Sequence, residues 1–528
     1  MRRSVCILGC IVLALAGFAG CSGKNGGAAD SSASSDSSLS SADQAIAKRK
    51  AEAKKTGKYP KVVMCFMNWA GAPKGIARIN KTISAYTEEK LGLDVELEIL
   101  DAASYSQGMT LMLSSGEQAD IFNAISVGYT PSVNKGFCLD LEGDNLIQTY
   151  GKGILDTMGK TLTDACRIGG KLYGLPQSRD MAIGAFGIAI GKEYLDGIGY
   201  DYNSMYTADS SEIIYTGMDT ITSIFAKLHA KYPDKYVFSP QEASLGQGLV
   251  YDGIGGDNYG VLLDPEHSLE VGDLWSSKMF RDYCALMYSW NQKGYISKDA
   301  LTDDTASTLQ VKAGSAMSYA TATKPGIKQQ ESNLCGRPVI IFQTGPDFMK
   351  SSSPSSMPWC INSTTADPVA AMQFLNAAYT DPVLSNLLCW GEEGKEYRKT
   401  ADGHITFYDG INAQNSGYYN NVNWELPNQF IAYVWEGDDL DIWERMAKFN
   451  NNAEVSKAMG FAFDNTNVAN EYTALTNVYK EYAFQLMYGF TNPDTGIPVM
   501  VSKMKAAGLE KYIDAKKKAL AAWAGTGK

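Results

Sequence analysis

The stretch Gly169–Asp180, GGKLYGLPQSRD, decides how this chain is to be read. A Gly-Gly turn leads into a short apolar strand, Leu172-Tyr173-Gly174-Leu175, and Pro176 removes a backbone donor and stiffens the exit. Gln177, Ser178, Arg179 and Asp180 follow, where a chain crossing between two lobes would face a cleft. Taken alone, the stretch is equally an ordinary hairpin. Its surroundings select the crossing, because one α/β pattern ends before it and a second begins after it.

Upstream, Val62-Val63-Met64-Cys65-Phe66-Met67 is an apolar run without alternation, as expected of a strand buried on both faces of a parallel sheet. It ends in Asn68-Trp69-Ala70-Gly71. Gly75–Lys90 reads as a helix. Leu93, Val95, Leu97 and Ile99 then alternate with Asp94, Glu96 and Glu98 as a second strand. This βαβ unit implies a right-handed crossover. Open α/β sheets bind ligands beyond the carboxyl ends of their strands, where Asn68, Trp69 and the loop Asp101–Gln107 fall. Gly108–Ser115 continues as helix, and Ala119-Asp120-Ile121-Phe122 is a third strand whose exit carries Asn123, Ser126 and Tyr129.

Downstream, Ala185–Ile190 reads as a strand, Glu212–Lys231 and Ser276–Lys293 as helices, and Ala313–Ala320 and Pro338–Gln343 as strands. Met357–Ile361 is a strand that could return the chain to the first lobe. Two helices then open with one device: Asp367-Pro368 and Asp381-Pro382 each place Asp at the N-cap and Pro in the first turn. The second ends at Trp390-Gly391, and its exit loop holds Glu392, Glu393, Lys395, Glu396 and Tyr397. At the C-terminus, Leu509, Ile513, Leu520 and Trp523 share an arc of ~80° at 3.6 residues per turn, which predicts a helix packed on a lobe.

The N-terminus carries a processing signal. Met1-Arg2-Arg3 is basic, Val5–Leu15 is apolar, and Ala16-Gly17-Phe18-Ala19-Gly20-Cys21 is a run of mostly small residues ending in cysteine. This is what a bacterial lipoprotein signal looks like, with Cys21 as the lipid attachment point after removal of residues 1–20. Phe18 departs from the more usual leucine. Residues 21–57 are expected to be a disordered tether outside the fold, rich in Ser, Gly and Ala up to Ser41, with Ala42–Lys58 charged and partly helical.

Net charge is −11, and becomes −13 once the two positive charges of Arg2 and Arg3 are lost. An acidic chain without basic clusters argues against nucleic acid, whose phosphates demand Lys and Arg. Seven cysteines follow Cys21, namely Cys65, Cys138, Cys166, Cys284, Cys335, Cys360 and Cys389. An odd number cannot all pair, and no CxxC spacing is present. Most lie in apolar runs, where a free thiol packs as a small hydrophobe.

The order of these elements resembles the extracellular solute-binding proteins of ABC importers, family 1, of the kind that includes maltose-binding protein. The lipoprotein signal, Val62–Met67 ending in Asn-Trp, Ala119–Phe122 and Lys171–Pro176 carry the resemblance, with Ala313-Gly314-Ser315-Ala316-Met317 and Asp367–Leu388. Trp390–Tyr397 and the tail from Gly460 to Trp523 resemble a large-lipoprotein subgroup. The resemblance implies an α/β, two-lobe periplasmic-binding-protein-like fold (type II), with a ligand cleft between lobes and a hinge of three crossings. Lobe 1 is expected over 58–177 and 360–425, and lobe 2 over 178–359 and 426–528. The implied function is capture of an oligosaccharide and delivery to a membrane permease. The implied protein is a monomer, lipid-anchored at the extracellular face of a bacterial cell membrane, with no cofactor.

Sugar recognition needs flat aromatic faces against C–H surfaces and polar groups that bond hydroxyls in fixed directions. Candidates at strand ends or crossings are Asn68, Trp69, Tyr105, Tyr129, Asp180, Tyr319, Trp359, Trp390, Glu393 and Tyr397. Trp424 and Trp435 flank the expected third crossing. Trp275, Trp290, Trp443 and Trp523 are assigned to structure. Catalytic signals are weak. His229, His267 and His404 lie far apart without a metal-binding spacing, and no GxSxG elbow occurs. Gly159-Lys160-Thr161 lacks the earlier glycine of a phosphate loop, since residue 154 is Ile, and Asp464–Asn467 lacks the later ligands of a calcium loop. The alternatives are an oligopeptide or other small-solute carrier and, in another class, a surface glycan hydrolase or lyase.

Overall fold

In the computed structural model, the unalternating run at residues 62–67 becomes the inner strand Lys61–Asn68, buried at every position but Lys61. The structure describes residues 39–525 apart from residue 70 and residues 208–209, 242–247, 304, 414 and 421. The expected signal and Cys21 lie outside the described residues.

Strand Lys61–Asn68 runs parallel to Asp94–Asp101 in full register, from Lys61 opposite Asp94 to Asn68 opposite Asp101. On its other side lies Ile121–Asn123, also parallel, and then Trp359–Ile361, antiparallel. Asn68, Asp101 and Asn123 therefore end one sheet together, with Trp359 starting beside them. The outer strand Asp94–Asp101 does not offer a bare edge to other chains. Asn80 and Ser84, one turn apart on helix Ile76–Leu91, bond the backbone N–H and C=O of Leu97 and Val95.

A second sheet is built on Ile183–Gly191. Ala316–Thr323 and Val339–Gln343 pair with it antiparallel on its two sides, followed outward by Tyr236–Ser239 and Ile213–Tyr215. Asp347–Met349 and Glu454–Val455 extend the sheet from the start of the central strand. Two expected elements shift. Glu212–Lys231 divides into strand Ile213–Tyr215 and helix Met218–Lys231, with Gly217 between them. Ser307–Ala313 is a helix stopped by Gly314 at φ 76°, a conformation that favours glycine, so the strand begins at Ala316.

Each sheet organises its own hydrophobic core. One core gathers Val62–Met67, Leu172, Leu175, Trp359 and the helices Pro368–Thr380 and Pro382–Trp390, and reaches Ala432, Phe449, Ala453 and Met459. Another gathers Ile188, Phe238, Trp275, Trp290 and Phe342 with Leu475, Tyr512 and Leu520. Residues 426–453 thus contribute to the first core, whereas they were expected in lobe 2. The chain moves between cores after Ala182, between Phe342 and Met349, and near Ala453–Phe461. As expected, Asp367 and Asp381 cap their helices, accepting from the N–H groups of Ala370 and of Val383 and Leu384; such caps contribute about 1 kcal/mol each.

The Gly169–Asp180 stretch is stitched to the other crossing segments. Leu175 and Trp359 exchange backbone hydrogen bonds at 2.9 and 2.8 Å. Ser178 N donates to Pro427 O, and Gln429 N donates to Ser178 O, both at 2.9 Å. Tyr379 donates its hydroxyl to Pro176 O at 2.8 Å, and Asn428 Nδ2 donates to Tyr379 O at 2.7 Å.

The expected tether is shorter than 21–57, because Ser41–Thr56 is a helix of the folded unit that begins at Ser41. Its Arg49 bonds Leu91 O and the buried Gln373, and Gln373 returns a bond to Ala42 O at 2.8 Å. Low hydrophobicity concealed this docking, which is polar. At the other end, helix Leu509–Gly525 buries Leu509, Ile513 and Leu520 and leaves Trp523 half-buried. The same face carries Lys516, fully enclosed, donating to Gly253 O and Asp257 Oδ1 at 2.7 Å and to Gly260 O at 3.0 Å. The seven cysteines from Cys65 to Cys389 are all buried free thiols.

Candidate ligand-binding site

The parallel strand Lys61–Asn68 delivers Trp69 to the carboxyl edge of the first sheet with nowhere to bury its ring, and it stands 63% exposed. Trp424 faces it, half-buried, with ring centroids 6.4 Å apart and planes at 42°. Beneath the two indoles lies a dense polar layer. Asn68 Nδ2 donates to Asn420 Oδ1 at 3.1 Å, and Met67 N donates to Glu425 Oε1 at 3.3 Å. Asn420 Nδ2 and Glu425 Oε2 have no hydrogen-bond partner among the described residues, although both are enclosed. Burial lifts the Glu425 carboxyl to about 8, against the lowering pull of the Met67 N–H. It is therefore protonated at neutral pH, and is a donor as well as an acceptor.

A second polar group sits on the crossing. Asp180 is enclosed and paired with Lys324 at 2.5 Å, where Lys324 follows the end of strand Ala316–Thr323 in the second sheet. Arg179 approaches Asp180 at 3.6 Å. Burial alone would raise the Asp180 carboxyl; Lys324 and Arg179 outweigh it and hold the group below the usual carboxylate range. Asp180 Oδ1 and Arg179 Nε lack hydrogen-bond partners among the described residues. Asn450 fixes the backbone here, accepting from Met181 N and Ala182 N and donating to Arg179 O at 2.7 Å.

The other candidates divide. Tyr105 is fully buried and donates to Asn123 O at 2.7 Å. Tyr129 is buried and bonded to Cys166 O, and Tyr319 is buried and bonded to Glu331. Trp359 is fully buried, its indole donating to Glu425 O at 2.9 Å. These four correct the expectation from sequence: Tyr105 and Tyr129 open helices, Tyr319 and Trp359 lie in strands, and in each the ring fills the core and the polar atom is spent on the protein. Tyr397, also buried, packs edge-on against Tyr433. Glu393 is exposed and paired with Lys399 at 3.1 Å. Neither belongs to the Trp69 group. Trp390 is buried beneath Tyr419 and Trp435 in a separate aromatic cluster.

Sequence reasoning missed Asn420, Glu425 and Lys324 as members of these polar groups, and placed Arg179 on the crossing beside Asp180 without making it a candidate. Asn420 and Glu425 lie in a stretch without helix or strand, where no periodicity points inward. Only the neighbouring Trp424 signalled that the loop matters. A cavity of about 960 Å³ lies elsewhere, between helix Ile327–Cys335 and the segment Gly437–Arg445. It encloses no unpartnered polar side chain among the described residues, so we place the candidate site at the open edge under Trp69.

Comparison with known structures agrees with this architecture. The N-glycan transport solute binding protein (NgtS) of Streptococcus pneumoniae matches with a TM-score of 0.76 and 21% identity, covering 89% of this chain and 100% of that one. This chain has the two-lobe solute-binding-protein fold. By sequence, a carbohydrate ABC transporter substrate-binding protein of Streptococcus pneumoniae serotype 4 is 23% identical over 436 residues, 82% of this chain and 84% of its own length. Within the solute-binding-protein fold, residues 457–525 match a family model described as a domain of unknown function (DUF3502). That segment is continuous with the second core. NgtS in complex with Man1GlcNAc matches less closely, with a TM-score of 0.66 and 21% identity, over 87% of this chain and 98% of that one.

Proposed function

We propose that this chain is the substrate-binding lipoprotein of an ABC importer, capturing an oligosaccharide between its lobes without altering it and passing it to a permease. The observation that carries the reading is the Trp69–Trp424 pair, set over Asn420 and Glu425 at the carboxyl edge of a parallel sheet. A pyranose ring has an apolar C–H face and a rim of hydroxyls. Two indoles offer the first a surface worth of order 1 kcal/mol per contact, and the unpartnered amide and carboxyl lie beside the second. Asp180 and Lys324 bring polar groups from the crossing and the second sheet toward the same function.

The relatives support this. One is named for carbohydrate transport, and NgtS has been crystallised with Man1GlcNAc and Man5GlcNAc. This chain matches one NgtS structure with a TM-score of 0.76 and the two complexes with 0.66 and 0.64. Lobe closure on a ligand would give such a spread. Anchoring through a lipid on Cys21 would keep the carrier beside its permease on the outer face of the membrane, and each carrier would act as a monomer. The reading is tested by thermal unfolding against a glycan panel with peptides as controls. Ligand at a hundred times its Kd adds ~2.7 kcal/mol of stability. A shift with peptides and none with glycans would replace the substrate class.

A further inference from the structure

The segment that carries Asn420 and Trp424 also carries Tyr419, which joins an aromatic group assembled from distant parts of the chain. Phe407 and Trp435 have ring centroids 4.4 Å apart. Tyr419 stands 5.4 Å from Phe407 and 5.7 Å from Trp435. Trp390 lies 5.6 Å from Trp435 and 6.5 Å from Tyr419. Trp390 is 4% exposed and forms the floor, while the other three rings are half-buried and keep part of their surface for solvent.

Two features distinguish this group from an ordinary satellite core. The indole N–H groups of both Trp390 and Trp435 are enclosed without an acceptor among the described residues. Enclosed donors are nearly always paired in folded proteins, and one left unmade is destabilising. The scaffold is also fixed. Ile405 N donates to Val434 O at 2.8 Å and Glu436 N to Ile405 O at 2.9 Å. His404 bridges the Asp402 carboxylate at 3.0 Å and Asp438 O at 2.8 Å.

We propose that Phe407, Tyr419 and Trp435, floored by Trp390, form a second carbohydrate subsite for another residue of the oligosaccharide held at Trp69 and Trp424. The inference rests on the carbohydrate reading above and extends it to ligand length. A sugar ring suits the group because it brings an apolar face to the rings and, where the rings part to admit it, oxygen acceptors to the two enclosed N–H donors. An acyl chain or an apolar peptide side chain would leave those donors unmade. Continuity with the first site comes from the chain itself: five residues from Tyr419 to Trp424 span at most about 18 Å. An extended oligosaccharide can bridge that separation, and a disaccharide held at Trp69 need not reach the second site.

The test is calorimetric titration of the chain lacking residues 1–21 with manno-, gluco-, galacto- and fructo-oligosaccharide ladders and with Man1GlcNAc and Man5GlcNAc. In the series that binds, Phe407→Ala should weaken the longest member about ten-fold and leave the shortest unchanged, whereas Trp69→Ala should weaken both. Trp435→Phe, which keeps a ring and removes an N–H, should weaken only the longer ligand and decides the matter if Phe407→Ala does not fold. Equal effects on short and long ligands, or none in folded variants, would overturn the subsite and leave the carbohydrate reading intact. No binding of any ladder to the unsubstituted chain would overturn both.

Discussion

Trp69 and Trp424 meet at 6.4 Å between ring centroids, although one directly follows the first strand of the chain and the other lies in a loop after helix Pro382–Trp390. Trp69 gives up little to solvent contact on folding, since it is 63% exposed. Trp69→Ala should therefore change unfolding stability by no more than about 0.5 kcal/mol while weakening glycan affinity about ten-fold. Parallel urea unfolding and calorimetric titration separate the two effects. A large stability loss would make Trp69 a structural residue.

Trp359 predicts the reverse. Its ring is fully buried and its indole holds Glu425 O, so Trp359→Ala removes packing and orphans a carbonyl. The cost should be about 3–5 kcal/mol of stability. Glycan affinity, measured below the unfolding midpoint, should move only as far as Glu425 moves. An unchanged unfolding midpoint would contradict the burial.

Glu425 makes stability depend on pH. Burial raises its carboxyl from the ordinary 4.5 to about 8, so the folded chain keeps a proton that the unfolded chain releases. Its contribution is complete below about pH 4.5 and is lost as pH rises to about 8, at up to about 1.4 kcal/mol per pH unit. Glu425→Gln keeps the shape and neutrality of the protonated form. It should flatten the stability profile across that window, in urea unfolding at a series of pH values. A profile identical to the unsubstituted chain would contradict the assignment.

Lys516 ties the C-terminal helix to the loop Gly253–Gly260. Lys516→Met leaves Asp257 enclosed with the Tyr512 hydroxyl but no cation, a change that costs about 3–5 kcal/mol when a buried pair is broken on one side. Replacing both, as Lys516→Met with Asp257→Asn, should recover part of the loss. Hydrogen exchange over residues 509–525 would show whether the helix loosens first, and a loss below about 1 kcal/mol would remove Lys516 from this role.

The fold was legible wherever burial imposes a pattern on the sequence. The run Val62–Met67 could only be a strand covered on both faces, and the paired Asp-Pro starts named two helices to the residue. Some helix after Ser41 was legible, but the docking of Ser41–Thr56 was not, because Arg49 and Gln373 hold it largely through hydrogen bonds rather than a broad apolar stripe. The site was half legible. Trp69 and Asn68 follow from the rule that ligands meet parallel sheets at the carboxyl ends of strands. Tyr105 and Tyr129 follow strands of the first sheet, while Tyr319 lies within a strand and Trp359 begins one; all four rings point into the core, and sequence position does not fix the direction of a side chain. Phe407, Tyr419 and Asn420 sit in loops whose mutual approach only the folded chain reveals.

The most direct test of the central claim is calorimetric titration of the chain lacking residues 1–21 with oligosaccharide ladders and peptides, followed by mass analysis of the recovered ligand. The account predicts heat at one ligand per chain for one glycan series, with the sugar recovered intact and the heat diminished in Trp69→Ala. Saturable heat with peptides alone, or shortened glycans after incubation with catalytic amounts of the chain, would contradict it.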